Sequence, residues 1–523
     1  MPAAKETSEL DIRSRYMVAC RSPYRILEYT ASFAEIGEMA KAIGALKWEK
    51  FAKGVSMLLQ GELDAAWGLF EQSLVIDPLF APALNGKGCV LSARRCEDEA
   101  WAAFEKAAEL DAGFALPLKN MGQSLVFQNC HEDALAFFDL AIARDPEHCM
   151  AWNGKGVALD ELGRHAEALI AFQKAIELDP KYAVPWCERS VALRRQKRYE
   201  ESLASIDKAL ELDPVPAMAW NRKGVTLSEL GRHDEALIAF QKAAELDPEY
   251  AAPWCDRTFA LRKQKRYEEA LASLDKALEL DPVSAMAWNN KGTILNALSR
   301  KEEAAHHFER AIKLDPMMAH PWHNMGDIMY DKGEYEEALV AYDKALSIDH
   351  EFALAWRGRG GVLNILGRQE ESLVAYERVN VLAPSYVRAW QEKAELLFKM
   401  RRYSEAVAAY DKVIELDSPC VAPWVWKGII YLIQARHKEA LAACEEALKI
   451  NPSVSSPWST KGEVLFAERR YFEALLAFRR ALELNPGHPR IENRMRFASG
   501  KIRYIRMTLA RKTKKRSNAR PKR

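Results

Sequence analysis

A proline slot recurs every 34 residues, and that interval constrains the chain more than anything else in it. Pro78, Pro146, Pro180, Pro214, Pro248, Pro282, Pro316, Pro384, Pro452 and Pro486 fall on one register, which Ala112, His350 and Ser418 complete. Thirteen units of 34 residues follow one another from Lys47 to His488 without insertion or deletion. A fixed period of this order marks a repeat array. Each unit is a supersecondary piece too small to bury its own apolar face, and stacking supplies the core.

The pattern inside one unit predicts two helices. With Lys47 as position 1 of the first unit, helix A is expected over about positions 2–14 and helix B over about 17–30. Position 8 is Gly in ten units, such as Gly156 and Gly224. Glycine inside a helix costs about 1 kcal/mol relative to alanine, so its recurrence needs a packing reason. Position 20 is Ala in eleven units and Ser in two, Ser202 and Ser372, while position 24 is mostly aromatic. Small residues facing one another, plus one large ring, suit two helices in close approach. Position 15 is Gly in five units (Gly61, Gly163, Gly231, Gly333, Gly367), as expected just past a helix C-terminus. Prolines at position 3, such as Pro185 and Pro253, fall in the first turn of helix A, where a missing N–H does no harm.

These residues resemble the tetratricopeptide repeat. The match rests on a large residue at position 4, Gly or Ala at 8, Ala at 20, an aromatic at 24, Ala at 27 and Pro at 32. Trp fills position 4 in ten successive units, from Trp152 to Trp458. The resemblance implies an all-α fold, an α-solenoid in which thirteen helix-turn-helix repeats wind into a right-handed superhelix. It also implies a concave groove, lined by the helix A faces, that binds peptides or partner proteins. Residues 151–216 and 219–284 are identical at 52 of 66 positions, a duplicated pair of repeats.

The expected organisation follows. Residues 1–46 form an N-terminal segment, polar and mobile to residue 23 and then a capping helix. Thirteen repeats occupy 47–488, as 47–80, 81–114, 115–148, 149–182, 183–216, 217–250, 251–284, 285–318, 319–352, 353–386, 387–420, 421–454 and 455–488. Residues 489–510 form a solvating helix whose stripe Ile491, Met495, Ala498, Ile502, Ile505 and Leu509 covers the last repeat. Residues 511–523 are a basic tail too polar to fold alone.

Composition narrows the function. The net charge of +1 conceals a tail from Arg490 to Arg523 with fourteen Lys/Arg and one acid, against a body of net charge −12. No apolar run reaches the ~18 residues of a membrane span, and the first twenty residues read as no secretory leader. Nine scattered cysteines without a CxxC pair suit reduced thiols and a cytoplasmic location. No catalytic signature or cofactor motif stands out, so the chain reads as non-enzymatic and cofactor-free. His320 and His323, near His306 and His307, form the one histidine concentration, read as polar groove residues rather than metal ligands.

By the resemblance, positions 2, 5, 6, 9, 12 and 13 point into the groove. Asn153, Asn221, Asn289, Asn290 and Asn324 stand at 5 or 6, where an amide can hold an extended peptide backbone. Arg194, Arg195, Arg262 and Lys263 stand at 12 and 13, alternating with acidic pairs such as Asp160-Glu161. Either they stripe the groove with charge, or they bridge neighbouring repeats. Repeat twelve differs: Trp426, Ile429 and Leu432 give its groove face an apolar surface, a candidate docking patch. The leading expectation is a scaffold for a protein or peptide partner. The second is an RNA- or ribosome-associated factor whose basic tail holds nucleic acid through phosphates.

Overall fold

The structure, a computed structural model, describes residues 12–13, 15–16, 26–214 and 216–518, with backbone alone for 26–31 and 512–518. Among the described residues there are helices and turns and no strand. The chain divides into two compact blocks, Met1–Val283 and Ser284–Arg523. The first carries repeats one to seven and the second repeats eight to thirteen.

Each repeat is an antiparallel helical hairpin. Repeat four shows the pattern: helix A over Cys149–Glu161, a turn, and helix B over His165–Leu178. The turn is tight because position 15 lies in the left-handed region in every repeat. Gly163 has φ 75° and Gly231 φ 76°, and where glycine is absent the same conformation is forced on Lys197 at 61° and Ala435 at 58°.

The hairpin closes on one ring. The position-24 side chain reaches from helix B into the space left by the position-8 glycine of helix A. A methyl group on Gly224 would stand 2.6 Å from the Phe240 ring, and one on Gly156 2.5 Å from Phe172. Both rings are almost wholly buried. The glycine is therefore a socket for the ring, rather than only the small partner of Ala at position 20. The next repeat adds a second wall: Gly86 faces the Phe70 ring, and Gly358 faces Tyr342, from position 6 of the following helix A. In repeats five and seven, where position 8 is Ser190 and Thr258, position 24 shrinks to Ile206 and Leu274, while the smaller Ala394 of repeat eleven keeps a ring, Tyr410. Position 20 also touches helix A. Ser202 Oγ donates to the Ser190 carbonyl at 2.8 Å and Ser372 Oγ to the Gly360 carbonyl at 2.7 Å, so alanine there is what close approach allows.

Tryptophan at position 4 ties a repeat to the one before it. In several repeats its indole N–H donates to the carbonyl of position 32, six residues back: Trp152 to Pro146 at 3.0 Å, Trp390 to Pro384 at 2.9 Å; the indole N–H groups of Trp186 and Trp254 are buried without this bond. Trp356 makes the same bond to His350 at 2.8 Å, so the slot supplies a carbonyl whether or not proline occupies it. A position-7 cation lies over the same indole, Lys223 at 5.3 Å from the Trp220 ring, and pairs with an acid on the preceding helix B, Asp207 at 2.7 Å.

Both ends differ from expectation. Ile12 and Tyr16 are helical and buried, 0% and 2% exposed, in a stretch expected to be polar and mobile; the rest of residues 1–25 lies outside the described residues. Beyond them, the helix Ile26–Ala42 caps repeat one through Phe33, Ile36 and Ala40. At the other end one helix runs Pro489–Asn518, so residues 511–518 continue it instead of forming an unfolded tail, consistent with the good helix propensity of lysine and arginine. Residues 519–523 lie outside the described residues. The apolar stripe covers the last repeat only at first. Ile491 and Ala498 are buried, but Ile505 is 42% and Leu509 58% exposed. The length explains this: the final helix B, Tyr471–Leu484, has 14 residues and the covering helix 30. At about 1.5 Å per residue the latter overhangs.

The ring-and-socket pairing makes a prediction. Gly224→Thr alone should destabilise the first block by ~1–3 kcal/mol through overpacking. Combined with Phe240→Leu, which reproduces the Thr258 and Leu274 pairing, the penalty should fall short of the sum of the single changes by about 1 kcal/mol or more. Urea unfolding of the four proteins of the cycle measures it, and strict additivity would refute the pairing.

Candidate functional site

The helix A faces carry the residues singled out as groove lining, and most of them are already engaged. The amides form rungs between neighbouring helices, position 6 bonding position 5 of the repeat before. Asn324 Nδ2 donates to Asn289 Oδ1 at 2.9 Å, and Asn120 Nδ2 to Asn85 Oδ1 at 3.0 Å. Asn221 Nδ2 donates to Asp256 Oδ2 at 2.8 Å. Burial pushes the Asp256 carboxyl up, against the pull of that hydrogen bond and of the Arg194 charge. These amides first hold the spacing of adjacent repeats, and what they offer a peptide is their remaining capacity. The Oδ1 atoms of Asn153 and Asn221 are both buried without a hydrogen-bond partner. Asn290 is half-buried on the same face as Asn289.

The charged positions split. Arg195 binds across the repeat boundary, to the Asp160 carboxylate at 2.8 Å, the Asp160 carbonyl at 3.0 Å and Glu161 at 2.9 Å. Asp160, with its side chain 5% exposed, also accepts from the Nδ1–H of His165 at 2.7 Å. Arg195 is therefore an inter-repeat tie. Arg262 and Lys263 instead lie over the Phe259 ring, at 5.7 and 5.4 Å, and Lys263 is exposed. Here the charge faces outward and a ligand can reach it.

Repeat twelve departs from a simple exposed patch. Trp426 stands at position 6, where repeats two, four and ten place a glycine against the preceding ring. It stacks on Tyr410 with the rings 4° apart and 6.4 Å between centroids, and its edge meets Phe398 at 5.2 Å. Trp426, Ile429 and Leu432 are half-buried, and Ile433 beside them is 51% exposed. Trp426 is thus half-buried, packed on Tyr410 and Phe398, and belongs to the packing as well as to the candidate patch. Phe466 in repeat thirteen is covered by Tyr471 at 5.2 Å and by the Arg494 guanidinium at 5.9 Å. His320 and His323 pack on Phe352, at 4.8 and 5.0 Å. No group of three or more potential metal ligands occurs among the described residues, and none of their helices is long and apolar enough to cross a membrane.

What the sequence alone did not reveal is a cavity of about 290 Å³ on the helix A faces of the first repeats. Phe51, Val55, Asn85, Cys89 and Asn120 line it, and so does Tyr16 from the N-terminal segment. The visible signal was Ile12 and Tyr16 four residues apart, one face of a helix, within an otherwise polar stretch.

Helical hairpins stacked through glycine sockets, with a lined face on one side, define a helical-repeat scaffold of the protein-interaction kind. Family models agree on which one. Tetratricopeptide repeat models match residues 119–183, 187–251, 260–319, 392–455 and 456–488, and a TPR repeat model matches 326–364, together more than half of the chain. The chain belongs to the tetratricopeptide repeat family. No curated protein matches it. Among solved structures it is similar to a chain of the crystal structure of APC/C hetero-tetramer Cut9-Hcn1, with 14% identity, a TM-score of 0.47, and coverage of 86% of this chain and 96% of that one.

The split between tied and outward charges is measurable. Arg195→Ala leaves the buried Asp160 carboxylate short of a charged partner and should cost ~1–3 kcal/mol. Lys263→Ala should stay within about 0.5 kcal/mol, as surface changes do. Parallel urea melts decide, and equal effects would contradict the assignment.

Proposed function

We propose that the protein is a non-enzymatic adaptor that binds a segment of a partner protein along its helix A faces. The observation that carries this is the half-buried apolar face of repeat twelve. Ile429 and Leu432, half-buried, and the exposed Ile433 follow Trp426 on the same helix. Contiguous apolar surface of this kind suits an interface, and an aromatic already held in place by packing loses little entropy on binding.

The test is affinity capture of protein partners from the native cells, with Ile433→Asp, with Val340→Asp as the control on helix B, and with the unchanged protein. A partner held through the groove should be retained by the control and weakened by roughly 2 kcal/mol or more by Ile433→Asp. The melting temperatures of the two variants should match that of the parent. Equal retention by all three proteins would contradict the proposal. So would capture that nuclease abolishes and that follows deletion of residues 511–523, which would put binding on the basic C-terminal helix.

A further inference from the structure

The first three repeats hold part of their own chain on the face that other repeats leave open. Tyr16 lies among four aromatic rings, with centroids 5.2 Å away for Phe51, 5.5 Å for Trp48, 5.8 Å for Phe114 and 6.0 Å for Phe33. Phe51 is at position 5 of repeat one, so Tyr16 approaches from the groove. Ile12, one helical turn earlier, is fully buried in the same cluster. Two cations fix the segment from its polar side. Arg13 pairs with Asp111 at 2.6 Å, and Arg15 pairs with Glu35. Asp111 closes helix B of repeat two and Glu35 belongs to the capping helix, so the segment is gripped from both directions.

The segment does not fill the site. A cavity of about 540 Å³ is bordered by Arg13, Trp48, Phe80 and Asp111, beside the cavity of about 290 Å³ already described. Both have Tyr16 in their walls. The site is longer than its present occupant, and its floor has the features a helical peptide needs: apolar pockets for side chains at i and i+4, and acids placed for the cations between them.

We propose that this face of repeats one to three is a binding site for a short basic amphipathic helix, that residues 12–16 are its resident ligand, and that a partner segment of the same Ile-Arg-x-Arg-Tyr pattern binds by displacing them. Tethering gives the resident segment an effective concentration of order mM, enough to keep a weak ligand in place and to exclude weaker competitors. A partner that also reaches the flanking cavities gains contacts that the resident segment lacks. The proposal is independent of the partner sought for repeat twelve, because its probe is a peptide of this chain.

The test uses full-length protein and a labelled peptide of residues 9–18, ELDIRSRYMV. Tyr16→Asp puts a charge into the ring cluster and should release the resident segment. The peptide should then bind the variant at least tenfold more tightly than the parent protein, and a peptide with alanine for its tyrosine should not bind. Cys89 supplies a second readout. Its thiol lines the smaller cavity, and burial pushes its pKa up to about 11. Its reaction with N-ethylmaleimide, followed by peptide mass spectrometry, should accelerate at least fivefold in Tyr16→Asp, while the buried Cys149 and Cys444 keep their parental rates. Asp111→Arg, which breaks the Arg13 pair and leaves the rings intact, should accelerate the Cys89 reaction to a smaller extent without raising peptide affinity, because the peptide's own arginine loses the same partner. Equal peptide affinity for parent and Tyr16→Asp would overturn the proposal. So would a rise at Cys149 together with Cys89, which would make residues 12–16 a fixed part of the core rather than a displaceable ligand.

Discussion

The structure depends on one contact, a ring set into a gap where a helix has no side chain. In most repeats the position-24 ring occupies the space that a Cβ at position 8 would take, as Phe308 does at Gly292 and Phe478 at Gly462. The contact fixes how close the two helices of a hairpin come and at what rotation. Gly86 and Gly358 show the same ring serving the next repeat as well. One side chain then sets both the hairpin and its stacking. The period of 34 admits no insertion, because a shift of one residue would bring a side chain into the socket. Dense packing gives such a socket little room to adapt.

The fold was legible because this constraint writes itself into the sequence at every turn of the array. Glycine at 8 and a ring at 24 identified the hairpin, and the positive φ at position 15 accounts for the glycines of the turn, even where Lys197 or Ala435 must adopt it. The role of tryptophan was only half legible. Its size could be read from sequence, but the bond from its indole N–H to the position-32 carbonyl is a backbone contact that no side-chain pattern records, as Trp356 and His350 demonstrate.

The groove was harder to read. The resemblance implied which positions face inward but not which of those side chains neighbouring repeats had already engaged. Asn289 and Asn324 hydrogen-bond each other, and Arg195 is held by Asp160, whereas Lys263 with the same nominal role points outward. Trp426 looked like an exposed anchor because nothing in its own helix revealed that Tyr410 lies beneath it. The N-terminal segment misled for a related reason. Its composition is polar on average, and two apolar residues in helical register, Ile12 and Tyr16, decide its placement. At both sites, residue pairs distant in sequence set what is available to a ligand.

The account holds that stability passes from repeat to repeat only through neighbouring contacts within a block, as expected for a quasi-one-dimensional array. Hydrogen exchange of Trp220→Ala tests this most directly, since that indole donates to Pro214 at 3.0 Å and joins repeat six to repeat five. The account predicts that protection falls in repeats five to seven while repeats one and two keep theirs. A uniform loss of protection across the first block would contradict it.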